Sequence, residues 1–465
     1  MSVRYRLLVL GLAVLAGLIA AFPAAAAHNG DEHSENIDLV ANSPRTSAVS
    51  QSDLAFWDNL LFAGNYDGFR VIDISDPENA VQLADVKCRG QQSDISVWGN
   101  LVFLSIDRPT VAKECSPDTP PGVNGFEGIR IFDVSDPAAP RFVTAVPTDC
   151  GSHTHTLLPD LRNGRVLLYV SSYPSGFLGP TPFGTTCRQL NPDGTQGHSK
   201  ISIVEVPLDS PEGARVIGQP TFELSDFRTP GLRGCHDIQV FLELRIAAAA
   251  CLSEGQLWDI SDLERPRTTN RIFNDAVDIW HSAAFTWDGE TVVFGDEFEG
   301  GAGPGCQDPN DLIGRIWFYD RLNPVAPLGS YKIPRPQGNQ ICTMHNFNIL
   351  PMGGRDILVA ASNMGGTTVV DFTDPAAPTE IAYYDSLNPP TSSPWSSYWY
   401  NGFIYANDRA RGVDVLRLRD PASAGAFRFP YFNPQTQEAI IRGRAVDDDD
   451  DHDDDDDDDD DDDED

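Results

Sequence analysis

Short runs of alternating apolar and polar residues recur along the chain, and no stretch after residue 27 holds a helical period. Residues 68–77 read GFRVIDISDP, 128–137 GIRIFDVSDP, 255–262 GQLWDISD and 366–375 GTTVVDFTDP. Looser copies stand at 200–209, 316–324 and 412–421. The clear copies are a glycine, a β-rich run and a polar turn, mostly with proline, the composition of a strand bounded by turns. Upstream of each copy lies a hairpin pattern, as in SDLAFWDNLLF at 52–62 and SDISVWGNLVF at 93–103. The same pattern fits 236–250, 281–294, 345–361 and 396–406. A further short strand follows the Asp-Pro turn, as at 140–146. Seven such units predict an all-β fold, a seven-bladed β-propeller of four-stranded blades. The last unit runs out after its third strand. Residues 36–42, NIDLVAN, are expected to supply the missing outer strand and close the ring, which would remove two exposed edges.

The phrase from Val71 to Pro77, repeated from Ile131 to Pro137, resembles that of the LVIVD-repeat family of bacterial and archaeal exported proteins. The resemblance covers residues 36–421 and implies a propeller without implying an activity, because propellers host many. A fainter similarity is to the selenium-binding protein (methanethiol oxidase) family, whose blades have strands like those at 236–262. That family's activity is linked to copper and histidines. Its short cysteine motifs are absent here, so no catalytic residue carries over.

The chain ends change the picture of where the protein works. Arg4 and Arg6, the apolar run Leu7 to Ala21 and the small residues Ala24 to Ala27 read as a cleaved signal peptide, 1–27. A linker is expected at 28–35, the propeller at 36–430, a C-terminal linker at 431–446 and a disordered poly-acidic tail at 447–465. The predicted location is secreted, periplasmic or cell surface, with no membrane span after signal cleavage. The formal net charge is −36, and removing the tail's eighteen carboxylates leaves −18. That balance excludes a nucleic-acid partner, since phosphate contacts need clustered Lys and Arg. The tail could bind Ca²⁺ weakly and discourages self-association, so a monomer is expected.

Four of the nine histidines carry the candidate chemistry. With the units aligned on the start of their first strand, one slot holds Ser52, Ser93, His153, His236, His281, His345 and Ser396. In a propeller that slot faces the central channel mouth, and the loops between second and third strands face it too. They bring Asp67, Asp107, Glu254, Asp296, Glu297 and Asp408. His153, His236, His281 and His345 are therefore predicted metal ligands, for copper, zinc or iron, with His155, Glu297 and Asp296 as candidate additions, His155 either joining the site or sitting deeper in the channel. The competing reading is that each imidazole hydrogen-bonds backbone at a crowded blade junction. His28, His33, His198 and His452 fall outside the slot and are expected to be solvated. Trp395, Tyr398, Trp399 and Tyr400 are expected to pack a blade, and Gly300 to Gly305 to form a surface loop.

Eight cysteines in an exported chain favour disulfides. Those just before a first strand pair naturally with those in neighbouring long loops: Cys88–Cys115, Cys150–Cys187, Cys235–Cys251 and Cys306–Cys342. Two functions remain open on sequence alone. One is a histidine-lined transition-metal site at the channel mouth, with its reaction and its status as an enzyme unassigned. The other is a non-catalytic binding scaffold, cell-surface or extracellular. Either would engage an unknown small molecule or protein at the channel face.

Overall fold

The repeated phrase folds as two successive turns closed by its own aspartates. Asp73 accepts from the Ser75 amide and Asp76 from that of Glu78. The same pair of bonds recurs with Asp133 and Asp136, Asp259 and Asp262, and Asp371 and Asp374. A short carboxylate that reaches an amide two residues on stabilises a turn without needing a partner strand. In these four blades the D-x-S/T-D spacing is therefore what returns the third strand into the fourth.

The computed structural model describes residues 32–115, 125–174, 187, 197–228, 230–305, 307–335, 338, 340–387 and 389–442. They form seven sheets, antiparallel within each four-stranded blade, arranged as a seven-bladed propeller. Its innermost strands are Gln51–Trp57, Ile95–Trp98, Thr154–Asp160, Asp237–Phe241, Trp280–Phe285, Phe347–Ile349 and Pro394–Tyr400. Each lies against the next, and the last against the first, so the ring is closed. Apolar residues on both faces of the middle strands pack blade to blade, as Phe62 and Phe69 do against Val102 and Phe132.

Closure is as the sequence predicts. Strand Ile37–Pro44 pairs antiparallel with Gly412–Leu418 as the outer strand of the seventh blade. Three disulfides are formed, Cys88–Cys115, Cys150–Cys187 and Cys235–Cys251. Cys306, and with it the fourth expected pair, lies outside the described residues, as do 1–31 and 443–465. Among the described residues no helix is long and apolar enough to cross a membrane.

Both expected linkers need correction. Glu32–His33 adds a two-residue strand to the sixth blade. The stretch expected as a C-terminal linker instead folds back across the mouth opposite the histidines. Tyr431–Phe432 pairs with the first blade's inner strand and Thr436–Gln437 with the fourth's. Asn433 bonds both backbone groups of Val97 in the second blade. Thr436 donates to the Leu157 carbonyl in the third, and Gln437 to that of Phe285 in the fifth. Inner strands of a propeller leave backbone groups facing the channel. This segment satisfies several of them, which is why polar amide side chains alternate along it.

Candidate metal centre

At the other mouth the four slot histidines stand side by side. Each stands within two residues of the start of an inner strand, and three donate their own amide to the end of the neighbouring second strand: His153 to Ser171, His236 to Ala250 and His345 to Ala361, at 2.7–2.9 Å. His281 sits where the register shifts between Trp280 and Ser282. The residue after the slot ties blade to blade. Thr154 Oγ1 donates to the His236 carbonyl at 2.6 Å and Ser282 Oγ to that of His345 at 2.7 Å. The rings are consequently held in sequence, with centroids 4.3, 3.8 and 4.4 Å apart from His153 through His236 and His281 to His345.

Their nitrogens form two overlapping ligand sets. His236, Asp237 and His281 make one group, and His281, Glu297 and His345 the other, each with ligand atoms within 4.8 Å of one another. His281 belongs to both. Its Nε2 and that of His345 lie 3.3 and 3.4 Å from the Glu297 oxygens. His153 Nε2 and His236 Nε2 are 2.7 Å apart. Two nitrogens bound tetrahedrally to one ion at about 2.0–2.1 Å stand about 3.3 Å apart, so shared ligation needs this pair to part slightly. Nδ1 of His281 and Nδ1 of His345 are buried with no hydrogen-bond partner among the described residues. Glu297 is held by a tight turn in which Gly301 has φ +66°, and a Cβ there would meet Glu297 Oε1 at 2.6 Å.

Burial sets the electrostatics. It holds His153, His281 and His345 below the usual imidazole range and takes His236 down to about 3. Mutual repulsion adds to the burial of His153 and His281. Burial likewise pushes Glu297 up to about 8 and Asp237 to about 7. Every group is driven toward its neutral form, because a lone charge in a dry site is costly. Neutral imidazoles are the ligating form, and a cation would in turn favour ionised Glu297.

The site walls a cavity of about 230 Å³, which Tyr66, Asp107, Arg108, Tyr173, Trp395 and Arg409 also line. Asp107 stands 3.6 Å from His153 Nδ1. Two predicted additions fall elsewhere. His155 lies deeper in the channel, where its ring bonds Ser96 and Ser105 at 2.7 and 2.8 Å. Being two residues on in a strand, it shares a face with His153 but one layer lower. Asp296 faces its own blade and accepts from the amides of Asp278, Ile279 and Gly314. His198 is buried rather than solvated, bonded to Asp149 and the Ser172 carbonyl. Trp395 belongs to the cavity wall, while Tyr398, Trp399 and Tyr400 are buried in the blade. Gly300, expected in a surface loop, also lines the cavity.

Below the histidines runs a second polar layer. Tyr398 donates to Asp53 at 2.6 Å, and the amide of His155 to Asp94 at 2.8 Å. Gln435, from the segment sealing the far mouth, reaches Asp53 at 3.3 Å. The channel is thus filled from imidazoles at the open end to amides at the closed one.

Comparison with known proteins bears on the fold alone. No protein-family model matches the chain. No curated protein matches it. Among solved structures, a protein from Lactobacillus plantarum superposes with a TM-score of 0.52 at 11% identity, over 85% of this chain and 98% of that one. The WD40 β-propeller domain of Doa1 superposes with a TM-score of 0.50 at 12% identity, over 84% of this chain and 100% of that one.

Proposed function

We propose that the channel mouth binds a transition-metal ion through His153, His236, His281 and His345, with Glu297 as the acidic partner. The observation that carries this reading is the convergence of four neutral imidazoles and a carboxylate on one cavity at the channel mouth, with His281 common to both ligand sets. Imidazole donors suit zinc, copper or iron. Asp107, beside His153 Nδ1, is placed to orient that ring as a neighbouring carboxylate commonly does for a ligating histidine. The repeat phrase and three disulfides support an exported LVIVD-type propeller, since disulfides persist in oxidising compartments.

Elemental analysis of the purified full chain tests the reading. One transition-metal ion per chain is expected, falling below one tenth in His281→Ala with the melting profile retained. A wild-type chain that neither carries nor takes up zinc, copper or iron refutes it and leaves the scaffold reading.

A further inference from the structure

The wall of the cavity above the histidines carries an arginine that makes no salt bridge among the described residues, although its charge reaches Glu297. Arg409 follows Asp408 in the loop between the second and third strands of the seventh blade. Asp408 is turned inward and clamps that loop, accepting from Ser392 Oγ, Ser393 N, Ala410 N and Arg411 N. The next arginine, Arg411, is paired to Asp414 through two bonds of 2.8 and 2.9 Å. Arg409 has no such partner among the described residues, and its Nε is buried without a hydrogen bond. Its main chain is pinned through its amide to Ser393 O and through its carbonyl to Arg45. Its guanidinium lies 4.5 Å over the Trp395 ring, and Trp395 in turn stands edge-on to His345 at 4.5 Å. Tyr66 meets Trp395 at 80° from the same wall.

A guanidinium resting over an aromatic face can still present N–H groups to a planar anion. We propose that Arg409 is the anion-binding element of this cavity, and that its ligand is a small planar carboxylate. Its carboxylate would lie on Arg409 and its apolar body among Trp395, Tyr66 and Tyr173, directly above the histidines. The proposal rests on the metal reading only in making this the ligand of the same site. Arg409 does not require the ion in order to bind an anion.

The probe is benzoate, with benzamide as its uncharged counterpart. Binding is measured by calorimetry on the full chain as purified and after chelation, with metal content determined on each sample. Benzoate is expected to bind and benzamide not to. Arg409→Gln should weaken benzoate at least tenfold with metal content and melting temperature unchanged, and Arg409→Lys should fall between. Arg409-dependent benzoate binding to a chain that never holds metal would sink the metal reading and keep this one. No benzoate binding, equal binding of benzamide, or benzoate affinity unmoved by Arg409→Gln would overturn the assignment of Arg409.

Discussion

Asn433 offers a clean measure of how much the segment sealing the far mouth contributes to the ring. Its side-chain oxygen accepts from the Val97 amide at 2.8 Å, and its Nδ2 donates to the Val97 carbonyl at 2.9 Å. Asn433 is 4% exposed and Val97 fully buried. Asn433→Ala therefore strands one buried donor and one buried acceptor, each costing about 1–3 kcal/mol. The sum is about 2–6 kcal/mol. For a chain of this size the unfolding entropy is about 0.9 kcal/mol per degree, so the melting temperature should drop by about 2–7 °C. Scanning calorimetry at one fixed scan rate reads the shift, and amide hydrogen exchange reads Val97 directly. Val97 should lose protection while amides in the outer strands keep theirs. A melting temperature within 1 °C of wild type, with the Val97 amide still protected, would refute the idea that this segment is part of the folded ring.

Other expectations follow from the same geometry. Deleting residues 28–44 opens the seventh blade along Gly412–Leu418 and should lower the melting temperature far more than Asn433→Ala; an unchanged value would refute closure by that strand. Burial raises Asp94 to about 7, so the folded chain keeps a proton that the unfolded one releases near pH 4. Its contribution is thus full below pH 4 and lost as pH rises toward 7. Asp94→Asn should gain stability relative to wild type across that window, and a pH-independent difference in urea titrations would count against it. Removing Cys88–Cys115, which spans 27 residues, should cost about 3.5 kcal/mol by chain entropy, visible as an earlier denaturation midpoint.

The propeller was legible because its repeat is local. The D-x-S/T-D turns of four blades and the glycines that open most third strands are short-range devices, so their spacing can be read without knowing the contacts between blades. The histidine slot was legible for the same reason, since strand register fixes which residue faces the channel mouth. Arg409, Tyr66 and Tyr173 were not, because they stand on loops between second and third strands, whose lengths vary from blade to blade. For His155 the sequence leaves two depths open and the structure takes the deeper one, while Asp296 differs from its expected place by facing. A residue can be near a site in sequence yet turned to satisfy its own blade's amides. The sealing segment left only a faint trace, the amide side chains of Asn433, Gln435 and Gln437 at every second position. Its partners are scattered over several blades, and no local pattern announces contacts of that separation.

The strand that completes the ring has a temporal consequence. Ile37–Pro44 emerges from the ribosome before any blade, yet its partner Gly412–Leu418 is made almost last. For most of synthesis it must remain an unsatisfied edge, and such edges invite pairing with other chains. Its own residues oppose that. Asp38, Asn42 and the terminal Pro44 interrupt the apolar run, and only Ile37 and Ser43 are fully buried in the finished fold. A strand that has to wait is built to be a poor partner for anything but the one it waits for.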